Sequence, residues 1–219
     1  MFFLTRERPT PVVAVGASSQ PSSRKAFPLP FWLFLVGVLL FGLGDFSRTF
    51  LIWLAANALG QPANLGAGTL SAALLLYTLH NLTSAAAAYP VGLLGDRRAK
   101  FPILLWGYAL GVGTNVLLMF FSSSLAGLVL VVLLSGLYIA AEETLEKAVA
   151  AEMLPRELRS LGFGYLACAN AVGDMASSLY VGYLLEAQRP GWAFGTAAGV
   201  GAAGIVWLLF VWKRLRPTS

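Results

Sequence analysis

Six long apolar stretches dominate this chain, at residues 31–58, 68–94, 102–121, 126–148, 161–185 and 192–212, separated by segments rich in charge or turn-forming residues. Each is long enough to cross a hydrocarbon core about 30 Å thick, which takes about 20 helical residues. A backbone in lipid must satisfy its own hydrogen bonds, so only helices or a closed barrel can span it. A barrel would show stretches of about 10 residues alternating apolar and polar, and the sequence has none. The fold class expected is therefore all-α, a polytopic bundle of six transmembrane helices. Composition agrees, since 58% of residues are hydrophobic and 11% charged, where a soluble domain carries about 25% charged.

Basic residues resist translocation and so mark the cytoplasmic side. Arg6, Arg8, Arg24 and Lys25 precede the first stretch, and Arg97, Arg98 and Lys100 separate the second from the third. Lys147, Arg156 and Arg159 separate the fourth from the fifth, and Lys213, Arg214 and Arg216 close the chain. Of the 15 Lys and Arg, only Arg189 in an opposite loop and Arg48 inside a span fall elsewhere. Both termini are thus expected in the cytoplasm, in a plasma (inner) membrane of bacterial type. The net charge of +5 is accounted for by topology and by anionic lipid head groups, so membrane lipids are the expected partners and no nucleic acid is needed.

Residues 1–30 hold Pro9, Pro11, Pro21, Pro28 and Pro30 and a Ser-rich stretch from Ser18 to Ser23. They have little apolar surface to bury and are expected to form a disordered cytoplasmic leader. They do not form a secretory signal, because the first long apolar run is a full span with no small-residue cleavage site behind a short one. The transmembrane domain is expected over 31–212 and a cytoplasmic tail over 213–219. Cys168 is the lone cysteine, which leaves no disulfide framework; it reads as a small packing residue in the fifth span.

Ionisable groups inside a span are expensive and usually face a bundle interior or an aqueous cavity. Here they are unevenly spread: Asp45 and Arg48 in the first span, His80 with Asn81 in the second, Glu142, Glu143 and Glu146 near the inner end of the fourth, and Asp174 in the fifth. At 1.5 Å of rise per residue, Asp45, Arg48, His80, Asn81 and Asp174 share the middle third of the bilayer. Asp45 and Arg48 lie three apart on one helix face and neutralise each other, either as a structural ion pair or as part of a substrate and proton pathway. His80 and Asn81 read equally as interhelical hydrogen-bond glue. Asp174 has no sequence-local partner, so it must be protonated or face water. Glu143 and Lys147 form an i,i+4 pair, and most of that cluster reads as a solvated helix end. Gly107 with Gly111, Gly195 with Gly199 and the run Ala85 to Ala88 allow close helix contact. Asn81-Leu82-Thr83 matches a glycosylation acceptor but sits within a span.

The loop between spans two and three reads Tyr89-Pro90-Val91-Gly92-Leu93-Leu94-Gly95-Asp96-Arg97-Arg98-Ala99-Lys100. It resembles the cytoplasmic loop of the major facilitator superfamily, Gly-x-Leu-x-Asp-Arg followed by Gly and a basic pair, in the copy carried by the C-terminal half. Three more segments agree in order. Gly44 to Leu51 is similar to the first helix of that half, Glu142 to Gly164 to the loop into its fifth helix, and Ala176 to Gly182 to that helix's outer part. The resemblance covers residues 31–212. It implies a fold in which the first, second, fourth and fifth helices of the half surround a central cavity while the third and sixth lie outside, and a gating loop formed by Gly92, Asp96, Arg97 and Arg98. The chain departs from the pattern at Ala99 and at Ser160, where glycine is usual. It also departs in length, since the family has twelve helices in two halves. The opening Phe2 to Pro9 is similar to the end of a sixth helix entering the central linker, so the chain is expected to begin near the middle of an ancestral transporter.

The function expected is a half-size secondary-transporter subunit moving a small solute, proton-coupled through mid-membrane carboxylates, with its cavity completed by a second copy or a complementary six-helix half. Asp45, Arg48, His80, Asn81, Glu142 and Asp174 are the candidate pathway residues. The alternative is a non-transporting remnant or an accessory scaffold for another membrane protein. An enzyme is not expected: Glu142 to Lys147 resembles the Glu-Glu-x-x-x-Arg motif of intramembrane prenyl-protein proteases, but those need further histidines and this chain has only His80. The same shortage argues against a metal site, and no phosphate loop or nucleophile elbow is present, so no cofactor is expected.

Overall fold

The computed structural model describes residues 26–58 and 67–215, with the side chains of 52, 55–58, 67–73 and 215 left aside. Most of the expected leader, the loop at 59–66 and the tail from 216 lie outside the described residues. The described chain is helical: α1 (Leu29–Gly42), α2 (Thr49–Ala58), α3 (Ala67–Arg97), α4 (Lys100–Phe121), α5 (Leu125–Met153), a 3-10 turn at Arg156–Leu158, α6 (Arg159–Glu186) and α7 (Pro190–Leu215). Among these, α4, α5 and α7 through Arg214 are individually long and apolar enough to cross a membrane. At 31 and 28 residues, α3 and α6 have the length, but Asn, Ser, Thr, Gly and Asp residues dilute their apolar character.

The first expected span is not continuous. It divides into α1, of 14 residues, and α2, of 10, with the chain unwound between them and Asp45 and Arg48 in or beside the break. Glycine explains where the helix gives way. A side chain on Gly44 would place Cβ 2.4 Å from the Ala197 carbonyl oxygen, and one on Gly173 would place it 2.7 Å from the Gly42 carbonyl carbon. Gly42 and Gly44 thus let the end of α1 press against the backbones of α6 and α7, and glycine is itself a weak helix former.

Backbone freed from a helix inside a membrane must find partners, and here other helices supply them. Tyr180 Oη donates to the Leu43 carbonyl at 2.9 Å, Asn115 Nδ2 to that of Gly44 at 2.9 Å, and Ser177 Oγ to that of Asp45 at 2.7 Å. Arg48 Nη1 donates to the Phe46 carbonyl at 2.8 Å, and the Ser47 amide donates to Ser178 Oγ at 3.0 Å. The break is a specified feature in which α4 and α6 take over the role of the helical ladder.

Around this point α5 packs against α3 and α4, α4 against α7, and α1 against α6 and α7. One apolar cluster lies toward the basic end and includes Phe31, Phe34, Phe41, Leu104, Tyr108 and Leu145. A second, toward the opposite end, includes Phe46, Leu51, Leu118, Val131, Val132 and Phe194. Phe41 and Tyr108 stack face to face at 3.8 Å. Of the glycine pairs marked in the sequence, Gly107 and Gly111 do serve close approach, against Ala141 and Tyr138, whereas Gly199 faces open space. Cys168 is exposed rather than packed inside. Helix α6 ends in a Schellman motif, with Arg189 N–H bonding Leu184 O at 2.9 Å and Gln188 N–H bonding Leu185 O at 3.0 Å. Gln188, at φ 58°, fills the left-handed position that usually takes glycine.

Candidate functional site

The break, α3, α5 and α6 together line a cavity of about 630 Å³. Its polar wall is built from Asp45 and Arg48 at the break, Tyr77 on α3, Glu142 and Glu146 on α5, and Asn170 and Asp174 on α6. The elements explain the convergence. On α5, Tyr138, Glu142 and Glu146 recur every fourth residue and so share one face, all three buried at 2%, 9% and 3% exposure. On α6, Asn170, Asp174 and Ser177, spaced four and three apart, likewise share one face.

Two hydrogen-bonded groups anchor the wall. Arg48 and Asp45 form a two-pronged pair, Nη1 to Oδ1 at 2.6 Å and Nη2 to Oδ2 at 3.1 Å. Arg48 Nη2 also donates to Tyr138 Oη at 3.0 Å, and the guanidinium carbon lies 5.1 Å from that ring's centre. This doubly bonded geometry is the stronger kind of ion pair. In the second group the Glu146 carboxylate accepts from the Tyr108 hydroxyl on α4 and from Asn170 Nδ2 on α6 at 2.7 Å. Three helices meet at that one side chain.

The structure thus brings Asp45, Arg48, Glu142 and Asp174 into one cavity. It does not bring His80 or Asn81 to that wall. His80 is buried at 4% exposure with Nδ1 3.3 Å from Ser135 Oγ, between α3 and α5. Asn81 is exposed and donates to its own helix at the Tyr77 carbonyl, 2.8 Å away. The reading of the Glu142 cluster as mostly solvated helix end holds for the exposed Glu143 and Lys147. It fails for Glu142 and Glu146, because α5 continues to Met153 and so carries them further from its end than the apolar run suggests. Glu146, Tyr138, Tyr108 and Asn170 were missed as site residues, and the four-residue spacing on α5 was the available signal for two of them.

At the basic end, Asp96, Arg97 and Arg98 are exposed at the end of α3. Gly95 makes the tighter contact there, since a Cβ on it would lie 2.6 Å from a Leu145 methyl, against 3.5 Å from Thr144 for Gly92. Lys100 pairs with Glu152 of α5 at 2.8 Å. Among the described residues no group of three or more His, Cys, Asp or Glu is placed to hold a metal ion.

A sequence profile of the Major Facilitator Superfamily matches residues 33–219. The chain belongs to that superfamily. It is an integral membrane protein of a family of transporters rather than of enzymes. A search of curated proteins gives no match. Among solved structures, the chain is similar to an auto-inhibited POT family peptide transporter seen by crystallography, with a TM-score of 0.67 and 18% identity. The likeness covers 88% of this chain and 40% of that one. At that identity the likeness is one of fold, and it agrees with a bundle resembling one half of the major facilitator fold.

Proposed function

We propose that this superfamily member is one half of a secondary transporter, moving a small solute by rocking against a second six-helix half around a site near the membrane midplane. The observation that carries this reading is the open polar wall at the α1–α2 break, where Asp45, Arg48, Glu142, Glu146 and Asp174 line one cavity in an otherwise apolar bundle. Protons are the proposed coupling ion, because that wall carries carboxyls able to take up and release them. Asp174 is the proposed carrier: it lies exposed on the wall, and its carboxylate makes no hydrogen bond to the described residues. The loop residues Gly92, Asp96, Arg97 and Arg98 are proposed to gate the cytoplasmic side, with both chain ends on that side of an inner membrane.

The test is solute uptake by proteoliposomes under an imposed pH gradient. Uptake that collapses in Asp174→Asn and Asp45→Asn supports the proposal. Uptake indifferent to both removes the assigned pathway. A second reading is an accessory scaffold without transport. Native mass spectrometry in mild detergent separates the two: a homodimer or a complex with another six-helix half supports transport, and a lone monomer that binds no solute supports the scaffold.

A further inference from the structure

Behind the Asp45–Arg48 pair the cavity has a side pocket between the break, α4 and α5. Arg48, Thr114, Asn115, Ser135 and Tyr138 give it polar walls, and Leu118 and Val131 close its apolar side. Its volume is about 20 Å³. A single water requires roughly 10–15 Å³, and polar cavities of that size hold water where two to four polar partners are in reach. One water therefore fits, and an organic solute does not.

A second observation is independent of that volume. The Arg48 guanidinium is engaged at both terminal nitrogens, by Asp45, by the Phe46 carbonyl and by Tyr138. Its Nε is buried and has no hydrogen-bond partner, and it is the one buried side-chain nitrogen or oxygen so left among the described residues. Buried donors of this kind are met by protein acceptors or ordered water, and a charged donor is the costliest to leave unmet. The acceptors lining the pocket suit a water. Thr114 Oγ1 spends its hydrogen on the Gly111 carbonyl at 2.6 Å and Asn115 spends an Nδ2 hydrogen on Gly44 at 2.9 Å, which leaves Thr114 Oγ1 and Asn115 Oδ1 free to accept. Ser135 Oγ, on the same wall, is the atom that meets His80.

We infer that an ordered water occupies this side pocket, accepting from Arg48 Nε and donating one hydrogen to Ser135 Oγ and the other to the Thr114 or Asn115 oxygen, so that the buried Ser135–His80 pair joins the Asp45–Arg48 pair in one hydrogen-bonded network. His80, which does not reach the main cavity, is tied to it through this water. The groups facing His80 are then Ser135 and the Val132 backbone on α5 and the charges of Arg48 and Asp45 across the pocket, with Asn81 beside it on α3. Hydration of the pocket stands without any transport; only the use of the network for proton passage rests on the function proposed above.

Hydroxyl-radical footprinting of the purified full chain in lipid nanodiscs tests the hydration directly, because radicals formed from a bound water oxidise the side chains beside it. Leu118 and Val131 are 2% and 1% exposed, and Leu104 and Leu208, away from the pocket, are 1% and 0% exposed. The expected result is oxidation of Leu118 and Val131 several-fold above Leu104 and Leu208. Equal, background oxidation of all four overturns the inference. A structure at a resolution that shows ordered water gives a second arm: density within hydrogen-bond distance of both Arg48 Nε and Ser135 Oγ supports it, and an empty pocket, a water out of reach of Ser135 Oγ, or an Nε bonded to a protein acceptor overturns it. Neither arm measures transport, so failure here is distinct from failure of the transport reading.

Discussion

Asn170 on α6 donates its amide hydrogen to one oxygen of Glu146 on α5, at 2.7 Å, while the Tyr108 hydroxyl of α4 takes the other oxygen. One buried carboxylate therefore links three helices, and α6 meets α5 at far fewer places than α3 or α4 does. Polar side chains that bond across helices are the specific part of membrane packing, where lipid is as apolar as leucine.

Replacing that carboxylate separates its chemistry from its shape. Glutamine keeps one acceptor oxygen and turns the other into a donor, so Glu146→Gln cannot accept from both Tyr108 and Asn170. A loss of about 1–3 kcal/mol is expected, the cost of leaving a buried polar group unmet. Glu146→Leu in a Tyr108→Phe and Asn170→Leu background should lose less than Glu146→Leu alone. Thermal unfolding in detergent, followed by size-exclusion chromatography, reads the order.

The break between α1 and α2 makes its own prediction. Asn115→Leu, Ser177→Ala and Tyr180→Phe each strip a donor from a carbonyl at 43–45. Each is expected to lower stability by about 1–2 kcal/mol, within the range seen for side-chain hydrogen bonds in membranes. Pairs of them should couple non-additively, since all three act on one short segment. Double-mutant cycles of detergent melting check this, and simple additivity would argue against a cooperative break.

Glycine substitutions divide by what a methyl group would meet. Gly44→Ala drives Cβ to 2.4 Å from a backbone oxygen of α7 and Gly173→Ala drives it to 2.7 Å from α1. Both should reduce the folded yield severely, because neither neighbour is a flexible side-chain end. Gly113→Ala and Gly199→Ala meet nothing within 4 Å and should be neutral or stabilising by about 0.5–1 kcal/mol, the usual gain of alanine over glycine within a helix. Expression level and melting temperature across the four variants provide the comparison.

The Asp45–Arg48 pair and the Lys100–Glu152 pair should answer differently to salt and to mutation. The side chains of Arg48 and Asp45 are 19% and 14% exposed. Asp45→Asn or Arg48→Met alone leaves a half-buried charge without its partner, at no more than about 3 kcal/mol, while the double change Asp45→Leu with Arg48→Met should cost much less. Lys100→Ala at the exposed pair with Glu152 should cost under about 1 kcal/mol, with the difference vanishing in high salt. Melting curves at two ionic strengths decide between these outcomes.

Much of the bundle was legible in the sequence because apolar length is a strong signal in lipid. The expected span at 102–121 corresponds to α4 and that at 192–212 lies within α7. Arg97, Arg98 and Lys100 fall at the junction of α3 with α4, and Arg156 and Arg159 at that of α5 with α6, whereas Lys147 lies inside α5. The break was hidden because residues 43–48 sit inside one long stretch, 31–58, whose Gly44, Asp45, Ser47 and Arg48 read as small or polar positions on a continuous helix. Close contact of Gly42 with Gly173 and of Gly44 with Ala197 and Gly201, far along the chain, accompanies the unwinding. Glu146 was obscured because an acidic cluster near the end of an apolar run looks solvated, and only the partners on α4 and α6 reveal it as interior. Asp174, by contrast, stood out because its span offers it no neighbour of opposite charge.

The four carbonyls from Leu43 to Phe46 each already receive a hydrogen bond, from Tyr180, Asn115, Ser177 and Arg48 in turn. Where an interrupted membrane helix cradles sodium, it does so with just such carbonyls left bare. A dehydrated alkali cation entering here would have to compete with four donors fixed by α4, α6 and the segment itself. The discontinuity is therefore held as a keyed joint, whose carbonyls are already committed to α4, α6 and the segment itself.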